Sequence, residues 1–254
     1  MSRPAPTENR EHRRAEIVRA GLQLLEDGGL DALSLRRVAQ ALGMHAPGLY
    51  WYIEDKQELI DLLAQAILDE AFAGDGVKGP AEGEGWEPWL TEVAVRIRRV
   101  LLSHRDGARV VAGAYLFRTH SITDLLEIAV NALERDGYSR DMALHCAITV
   151  MRYTTGIALD DQASPIHRRR EIMKRLEEGV AIGPKIDPER WPKVAEVMGR
   201  WVKQVFVVGV DPTALGELHF RHGLALVMAG IRSAKTRSPL EDAVEHLKAS
   251  ATPS

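Results

Sequence analysis

The chain has 254 residues, which is enough for one large domain or for a small domain and a medium one. Hydrophobic residues make up 45% of the sequence and charged residues 27%, a composition that supports a buried core in a water-soluble protein. The net charge of −3 excludes a globally basic nucleic-acid-binding protein, so any contact with nucleic acid has to be local.

Two helices are predicted after a polar, proline-rich arm at 1–8. From Asn9, apolar residues recur every three or four positions and predict a first helix, which Gly28 and its neighbouring glycine end. Ser34 can cap a second, short helix at 35–42.

A third and a fourth helix follow a glycine turn. The third covers about 45–52, with Pro47 in its first turn, where a missing N–H does no harm. Asp55 followed by Glu58 predicts a capping box, which starts a fourth, strongly apolar helix at about 56–73.

The rest of the chain is also predicted to be helical. Glycine and acidic residues concentrate at 74–85, which predicts a boundary between domains 10–72 and 84–250. The segment 163–189, with three prolines and a basic run, predicts a long connection. No strand-like alternation of useful length occurs, so the predicted fold is all-α. Helices are predicted at 86–103, 107–118, 121–135, 140–162, 190–206 and 212–232, with a short one at 239–248.

Several classes of protein do not fit this sequence. The single cysteine, Cys146, excludes an intramolecular disulfide, and its apolar helical surroundings predict a buried, unreactive thiol. No apolar run approaches the roughly 20 residues that cross a bilayer. Residues 1–16 lack the apolar core of a signal peptide, so we expect a cytoplasmic protein with no membrane contact. His219 and His222 could chelate a metal, but no third ligand is identifiable and no metal or other cofactor is predicted.

The second and third helices have the layout of a helix-turn-helix, in which a longer scaffold helix precedes two short ones. Tyr50, Trp51 and Tyr52 cannot all be buried on so short a helix, and aromatic side chains with polar tips suit contact with phosphates. The small residues Ala46 and Gly48 permit close approach to a groove wall. This pattern predicts that the third helix reads DNA.

Basic residues flank this helix, although the wider charge balance does not favour DNA. Arg36 and Arg37 can reach a guanine edge or a phosphate, and Lys56 opens the next helix beside the same face. Acidic residues outnumber basic ones in residues 1–70, and helical hairpins without DNA-binding function show similar spacing. The acids fall mostly at 26–31 and 54–70, away from the predicted reading helix.

The motifs of this region strongly resemble the DNA-binding domain of the TetR family. They are GLDALSLRRVAQALG at 29–43 and PGLYW at 47–51, followed by Lys56. The LYW form resembles the tetracycline-repressor branch, and the C-terminal half carries further similarities to that branch. The resemblance covers about 10–165 and 212–232, and leaves 166–211 without a counterpart. The C-terminal motifs are RDGARV at 105–110, DGYSRD at 136–141, TTG at 154–156 and FRHGL at 220–224.

The resemblance implies a ligand-responsive repressor without catalytic activity, which binds a palindromic operator as a homodimer. It implies an N-terminal three-helix helix-turn-helix domain and a C-terminal helical domain for ligand binding and dimerisation. His45 either compensates for differences from the tetracycline repressors at the base-reading positions or is simply solvated. By position, the implied contacts are Ser34, Tyr50 and Lys56 to phosphates, Arg36, Ala46, Pro47 and Gly48 to base edges, and Trp51 and Tyr52 to the groove or backbone.

The predicted effector pocket differs from that of the tetracycline repressors. Small or apolar residues stand where those repressors contact the drug and its magnesium, and an apolar wall cannot coordinate a hard cation. The sequence therefore predicts a largely apolar organic effector, with Asp160 holding one polar or cationic group; for each residue, ordinary helical core is the alternative. The predicted wall comprises Phe72, Val93, Ile97, Val111, Ala114 and Ala129, with Trp86, Trp89, Tyr115 and Tyr153 adding aromatic surface.

Two further hypotheses concern assembly and release. The helices at 140–162 and 212–232 are predicted to form a two-fold four-helix interface, since they carry small residues that allow close packing. The fourth helix is expected to transmit ligand binding to the DNA-binding head, because it ends at Phe72. A helical enzyme or carrier, and a DNA-binding protein without an effector, remain the alternatives. The small residues are Ala143, Ala147, Gly156, Gly223, Ala225 and Gly230.

Overall fold

The computed structural model describes residues 6–72, 76–163, 187–206 and 212–235 of the chain. These residues contain ten α-helices, two short 3-10 helices and no β-strand, which confirms the predicted all-α fold. The 3-10 helices are Leu30–Ala32 and Leu116–Arg118. The α-helices are α1 Pro6–Gly28, α2 Leu35–Ala41, α3 Ala46–Leu49, α4 Lys56–Ala71, α5 Trp86–Ser103, α6 Gly107–Gly113, α7 His120–Arg135, α8 Arg140–Ala163, α9 Pro192–Phe206 and α10 Pro212–Ser233.

The helices α2 and α4 begin at the predicted caps. The Ser34 hydroxyl accepts a hydrogen bond from the Arg37 N–H at 3.3 Å, and the Asp55 carboxylate accepts one from the Glu58 N–H at 2.8 Å. The Glu58 carboxylate accepts the N–H of Glu54 at 2.5 Å, one residue before the cap. Both helix starts are confirmed, and the second bond of the capping box is shifted by one residue.

The reading helix α3 is shorter than predicted. It covers four residues, and the chain then turns, with the N–H of Tyr52 donating to the Leu49 carbonyl at 2.9 Å. Pro47 lacks an N–H and Gly48 has low helix propensity, so little local stability favours a longer helix. Leu49 and Ile53 are each 1% exposed, so they anchor this segment in the core.

The helix α4 connects the N-terminal helices with those that follow. It packs against α1 and also against α5, α6 and α7. Its side chains Leu59, Leu63 and Ile67 are fully buried. Since a single amphipathic helix contributes to both sets of contacts, these helices share one core rather than two.

The described residues divide into two compact units. The first contains those between 1 and 162 together with those from 227 onward, and the second contains those between 163 and 226. The second unit includes α9 and the first part of α10, where Phe220 and Leu224 are buried. The predicted domain limits, 10–72 and 84–250, stay a prediction.

Two polar contacts hold α8 against α5 and α6. The Arg98 guanidinium, on a residue that is 7% exposed, donates to Asp161 Oδ2 from Nη2 at 2.7 Å and from Nε at 3.2 Å. The Gln162 side chain donates to the Leu101 carbonyl at 2.8 Å and accepts the Ala108 N–H at 2.9 Å. Gln162 thus satisfies backbone groups at the end of α5 and the start of α6, which have no partner within their own helices.

The last turn of α10 is attached to the start of α8. The Tyr138 hydroxyl donates to the Ile231 carbonyl at 3.2 Å, and Lys235 pairs with Asp136 at 3.1 Å. The hydrogen bond and the charge of Lys235 lower the pKa of the Asp136 carboxyl. These contacts fix the C-terminal end of α10 within the first unit.

The prediction of a single helix at 107–118 is wrong. The helix α6 ends at Gly113, and Ala114 is extended, with φ −79° and ψ 151°. Asp61 of α4 accepts the N–H of Tyr115 at 2.8 Å, a donor that a continuing helix would need for its own hydrogen-bond ladder. A buried carboxylate from another helix therefore sets the end of α6.

Other predictions fall partly outside the described residues. The short helix predicted at 239–248 and most of the connection predicted at 163–189 lie there.

Cys146 is buried as predicted, and burial raises the pKa of its thiol to about 11, which keeps the thiol protonated at neutral pH. Within the described part, no helix has the length and apolar character that crossing a membrane requires.

Candidate DNA-reading face and effector cavity

The segment around α3 presents aromatic and small residues outward. Tyr50 is 58% exposed and Trp51 is 81% exposed, while Tyr52 is half-buried. His45 and Pro47 are also exposed. Exposed aromatic side chains cost free energy in water, so a face of this kind indicates a surface that meets a partner.

The two arginines of α2 differ in what they contact. Arg36 is exposed and makes no hydrogen bond or ion pair within the described residues. The Arg37 guanidinium donates to the Ala32 carbonyl at 2.9 Å, which ties it to the preceding 3-10 helix. Lys56, at the start of α4, is exposed. We call the exposed side chains Arg36, His45, Pro47, Tyr50, Trp51 and Lys56 the reading face.

An arginine of α1 holds the reading face in place. Arg14 donates to the Tyr52 carbonyl at 2.6 Å and to the Glu58 carboxylate at 2.6 Å. The first bond fixes the turn after α3, and the second fixes the start of α4. Because α3 is too short to be stable alone, these contacts, together with buried Leu49, position it.

The end of α1 is joined to the corner between α5 and α6. The Leu30 N–H donates to Asp106 Oδ2 at 2.8 Å, and Arg105 donates to the Asp27 carbonyl at 2.9 Å. Arg109 pairs with Asp31 at 3.0 Å, and its hydrogen bond and charge lower the pKa of the Asp31 carboxyl. We call these contacts the α1–α6 junction. They join the N-terminal helices to α6, which lines the cavity described below.

His104 makes a further bridge at the same corner. Its Nδ1 lies 3.0 Å from Glu26 Oε1, and its Nε2 lies 3.0 Å from Glu70 Oε2. One imidazole therefore contacts a carboxylate of α1 and a carboxylate of α4. The bridge adds a second polar link between the N-terminal helices and the α5–α6 corner.

The helix α4 also holds the segment between α6 and α7. Gln57 donates to the Gly113 carbonyl at 2.8 Å, and Asp61 accepts the Tyr115 N–H. Asp61 is 4% exposed, and its Oδ2 accepts no hydrogen bond within the described residues, although an Arg118 nitrogen lies 3.8 Å away. Movement of the segment around Gly113 must therefore act on α4.

A cavity of about 350 Å³ lies between α6, α7 and α8. Its wall is largely apolar, and among the described residues Arg152 is the one charged residue that lines it. The volume falls within the range of about 300–1,000 Å³ that is typical of small-molecule sites. The lining residues are Val111, Ala112, Ala114, Ile122, Leu126, Ile148, Met151, Arg152, Thr155, Gly156 and Leu159.

A second hollow, of about 510 Å³, lies beside the loop 80–85. Trp86 lines it, donates from its indole N–H to Asp136 Oδ2 at 3.2 Å, and meets the Tyr138 ring edge-on at 5.7 Å. Trp89 donates to the Lys78 carbonyl at 2.8 Å. Both indoles thus anchor the chain before α5.

Two family models match the chain, one at its N-terminal helices and one over most of the remainder. The model described as "Bacterial regulatory proteins, tetR family" matches residues 17–63. The model described as "Tetracyclin repressor-like, C-terminal domain" matches residues 79–234, which is more than half of the chain. The chain belongs to the TetR family.

Individual TetR-family proteins show how far the similarity extends. The tetracycline repressor protein class G of Vibrio anguillarum is 35% identical over 153 residues, which cover 60% of this chain and 70% of that protein. The tetracycline repressor protein class C of Escherichia coli is 29% identical over 221 residues, covering 86% of this chain and 90% of that protein.

Solved TetR-family structures include one bound to a drug and one bound to DNA. The structure of a TetR variant from Acinetobacter baumannii in complex with minocycline has a TM-score of 0.62 and 27% identity, covering 87% of this chain and 97% of that one. BioQ with its natural double-stranded DNA operator has a TM-score of 0.53 and 29% identity, covering 65% of this chain and 96% of that one. Proteins similar to this chain have thus been solved in a drug-bound form and in a DNA-bound form.

The structure assigns local roles to some residues predicted for DNA contact in this TetR-family chain. Ser34 caps α2, and Arg37 donates to the first 3-10 helix, so both contribute to the fold. Ala46 and Gly48 are half-buried, and a Cβ on Gly48 would meet only Met44 Cε, at 3.7 Å. The DNA contacts of all these residues stay predictions.

The predicted effector residues do not all lie together. Val111 and Ala114 line the cavity. Tyr115 is 56% exposed, Tyr153 is half-buried, and Asp160 is exposed, whereas its neighbour Asp161 faces Arg98. Four others are packed in the core and do not line the cavity: Phe72, Val93, Ile97 and Ala129.

Sequence reasoning missed the wall that α8 contributes to the cavity. Ile148, Met151, Arg152, Thr155 and Leu159 follow the three- and four-residue spacing of one helix face. That spacing was readable from the sequence, but buried positions alternate with the lining ones around α8, so no single apolar stripe stands out. Alignment to the tetracycline repressors drew attention to α5 instead.

Proposed function

We propose that this TetR-family chain is a cytoplasmic transcriptional repressor that binds a palindromic operator as a homodimer and is released by a small organic ligand in the cavity. The observation that carries this proposal is the position of α4. It begins beside the reading face, and its Gln57 and Asp61 hold the backbone that follows α6. Ligand and DNA would then act on the same helix from opposite sides.

The reading face supports the DNA-binding part of the proposal. Arg36, Tyr50 and Trp51 are exposed at one end of a rigidly anchored helix pair. An arginine without an internal partner can form two hydrogen bonds with a guanine, and an exposed tyrosine can donate to a phosphate. One reading helix contacts only a few base pairs, so useful affinity requires two half-sites and therefore two chains.

Release of DNA follows if the ligand favours a conformation that misplaces the reading helices. The wall formed by Val111 and Ala114 adjoins the Gly113 carbonyl, which accepts the hydrogen bond of Gln57. A ligand that shifts α6 would therefore alter the contact with α4 and the α1–α6 junction together. To change operator occupancy from 99:1 to 1:99, the ligand needs about a 10⁴-fold preference for the released state.

No enzymatic activity is part of this proposal. A helical enzyme with an incidental helix-turn-helix is the competing hypothesis, and deleting residues 1–70 is the simplest way to separate the two. Because α4 shares its core with α5 and α6, that deletion would also disrupt the rest of the unit. Substitutions on the reading face are therefore the better test.

We expect Arg36→Ala to weaken operator binding by about 1–3 kcal/mol and to relax preference at one base pair of each half-site. The operator is first identified by selecting bound fragments from the protein's own genome. Fluorescence anisotropy then compares the operator with single-base variants at two salt concentrations. Wild-type affinity should fall by roughly 10³–10⁵-fold between 50 and 200 mM salt if 6–10 phosphates are neutralised.

Arg99→Ala is the matched control for this experiment, since Arg99 is exposed on α5, away from the reading face. It removes the same charge and should leave affinity and base preference unchanged. Unchanged affinity and preference in Arg36→Ala would contradict the role assigned to Arg36. A protein that selects no genomic fragment would contradict the proposed function itself.

The proposed dimer interface has to contain fewer of the small residues than the sequence predicts. Ala143 and Ala147 are buried within the chain, at 0% and 1% exposure, so they cannot contact a partner. Gly156 and Gly230 are exposed, and a Cβ on either would meet nothing within 4 Å. These two glycines leave room for the close approach of a second chain.

Gly230→Glu should therefore convert the dimer into a monomer without unfolding the chain. A glutamate fits the open space in the free protomer but places a charge in an apolar contact, which is costly. Light scattering at micromolar concentration measures the mass. Gly199→Glu is the control, because Gly199 is also a helical glycine with nothing within 4 Å. A dimeric Gly230→Glu variant would exclude Gly230 from the interface.

A further inference from the structure

Arg152, an exposed residue, is the one charged residue that the described part of the chain contributes to the cavity wall, and its own helix offers it no partner. The residues three and four positions away on α8 are Ile148, Thr149, Thr155 and Gly156, none of which is acidic. Within the described residues, the Arg152 guanidinium makes no hydrogen bond and no ion pair. Five N–H donors are thus available at the edge of an apolar cavity.

Several other arginines of the same unit are paired with carboxylates. Arg98 donates to Asp161, Arg109 pairs with Asp31 at 3.0 Å, and Arg140 pairs with Glu134, also at 3.0 Å. Arg152 is exposed, and the exposed Arg36 and Arg99 also make no ion pair within the described residues. What distinguishes Arg152 is its position in the cavity wall, where its guanidinium is available to an acceptor from outside the chain.

A second donor lies beside Arg152 on the same face of α8. Thr155 is 9% exposed and lines the cavity, three residues further along the helix. The hydroxyl of the preceding residue, Thr154, donates to the Val150 carbonyl at 2.8 Å, whereas no hydrogen bond is formed by the Thr155 hydroxyl within the described residues. Its hydroxyl is free to donate into the cavity.

We infer that the effector is an apolar molecule with a single carboxylate, which Arg152 and Thr155 bind. This inference rests on the proposed function of the cavity. The guanidinium can donate two parallel hydrogen bonds to a carboxylate, and the Thr155 hydroxyl can donate a third. The apolar body would be buried against Val111, Ile122 and Leu126.

The charge of the wall favours a carboxylate over a phosphate monoester. A phosphate monoester carries close to two negative charges at neutral pH, and the described residues place no second cation in the wall. The same wall disfavours a cationic ligand, because none of its described residues is a carboxylate and Asp160 is exposed elsewhere on α8. The expected polar contact of the effector therefore changes from Asp160 to Arg152.

The test uses two matched pairs of probes, each an acid and its amide: decanoate with decanamide, and 2-naphthylacetate with 2-naphthylacetamide. Calorimetry on the full-length dimer measures affinity without DNA. We expect each acid to bind the wild-type protein at least 10-fold more tightly than its amide. Arg152→Gln should remove this preference by weakening the binding of the acid and leaving the binding of the amide unchanged. Arg152→Lys should retain part of the preference, since lysine keeps the positive charge but lacks the paired N–H donors of a guanidinium.

Arg99→Gln is the control for the loss of one positive charge, and it should leave both affinities unchanged. Melting temperature and light scattering establish that Arg152→Gln folds and dimerises normally. Equal affinity of acid and amide for the wild type, failure of both acids to bind at millimolar concentration, or an Arg152→Gln variant that loses acid and amide equally would overturn the inference. So would an Arg152→Gln variant that only weakens dimerisation, because Arg152 would then bind the second chain.

Operator binding, measured in parallel, separates this inference from the proposed function. If an acid binds through Arg152 but does not release the operator, the carboxylate site stands and the proposed mechanism of release fails. If the operator is bound and released by an amide as readily as by its acid, the proposed function stands and the inference fails.

Discussion

Asp161→Ala should lower the free energy of unfolding by about 3 kcal/mol, whereas Asp160→Ala should change it by less than about 0.5 kcal/mol. The two residues are adjacent and chemically identical, so the comparison isolates their surroundings. Asp161 holds the Arg98 guanidinium through two hydrogen bonds, at 2.7 and 3.2 Å. Asp160 is exposed.

The expected cost comes mainly from Arg98, which stays buried when its carboxylate partner is removed. The Arg98 side chain is 8% exposed, so a guanidinium without its charge partner would be poorly solvated. Removing one member of a buried ion pair typically costs about 3–5 kcal/mol. We expect the lower end of this range because the Asp161 side chain is 28% exposed and water can partly replace it.

Thermal unfolding followed by circular dichroism checks this prediction. A loss of about 3 kcal/mol corresponds to a fall in Tm of roughly 6–12 °C for a chain of this size. Replacing both partners, as in Arg98→Met with Asp161→Ala, should recover much of the loss, because no buried charge remains. Equal melting temperatures for the two single variants would show that the ion pair does not contribute measurably to stability.

Local signals in the sequence were sufficient for the N-terminal helices. The caps at Ser34 and Asp55 depend on a side chain and an N–H three residues away, so the sequence displays both partners. The apolar spacing that places Leu49 and Ile53 inside is equally local. These features could be predicted because they do not require knowledge of tertiary contacts.

The features that the sequence did not predict depend on distant residues. The end of α6 is set by Asp61, which lies more than fifty positions earlier in the chain. Which of Asp160 and Asp161 faces Arg98 depends on the direction in which each side chain leaves α8, and the sequence alone does not indicate that Asp161 makes this contact. Trp86 has a polar partner, Asp136, that no short-range pattern indicates.

The cavity shows the same limit at the level of function. The resemblance to repressors with a polar ligand identified positions that had lost their polar groups, and two of these, Val111 and Ala114, line the cavity. It did not point to Arg152, the residue that we propose contacts the effector. The position of Arg152 in the cavity wall depends on α6 and α7 as well as on α8, so it becomes visible only when these helices are in place.

Gly29→Ala should disturb the α1–α6 junction and weaken operator binding. Gly29 has φ 75° and ψ 178°, a region that is almost exclusive to glycine and costs other residues about 1–3 kcal/mol. A Cβ would also lie 2.6 Å from Asp106 Oδ2, the atom that accepts the Leu30 N–H. Strain and steric conflict therefore add, and we expect a loss of stability of about 3 kcal/mol.

Gly43→Ala provides the matched control for backbone strain. Gly43 also has a positive φ, of 64°, but a Cβ there would meet nothing within 4 Å. Gly43→Ala should lower the free energy of unfolding by only about 1–2 kcal/mol, which is the cost of placing alanine in the left-handed conformation. The difference between the two variants, measured by chemical unfolding, gives the contribution of the contact with Asp106 and of the more restricted backbone region.

A double-mutant cycle with Asp106→Gly separates these two contributions. Removing the carboxylate abolishes the steric conflict, so Gly29→Ala should cost less in the Asp106→Gly background than in the wild type, by about 1 kcal/mol or more. Operator affinity should fall by about tenfold in Gly29→Ala, because misplaced reading helices need to lose only about 1.4 kcal/mol of binding free energy to give that factor. Additive stability losses would show that Asp106 tolerates the new methyl group, and unchanged operator affinity would show that the junction does not position the reading face.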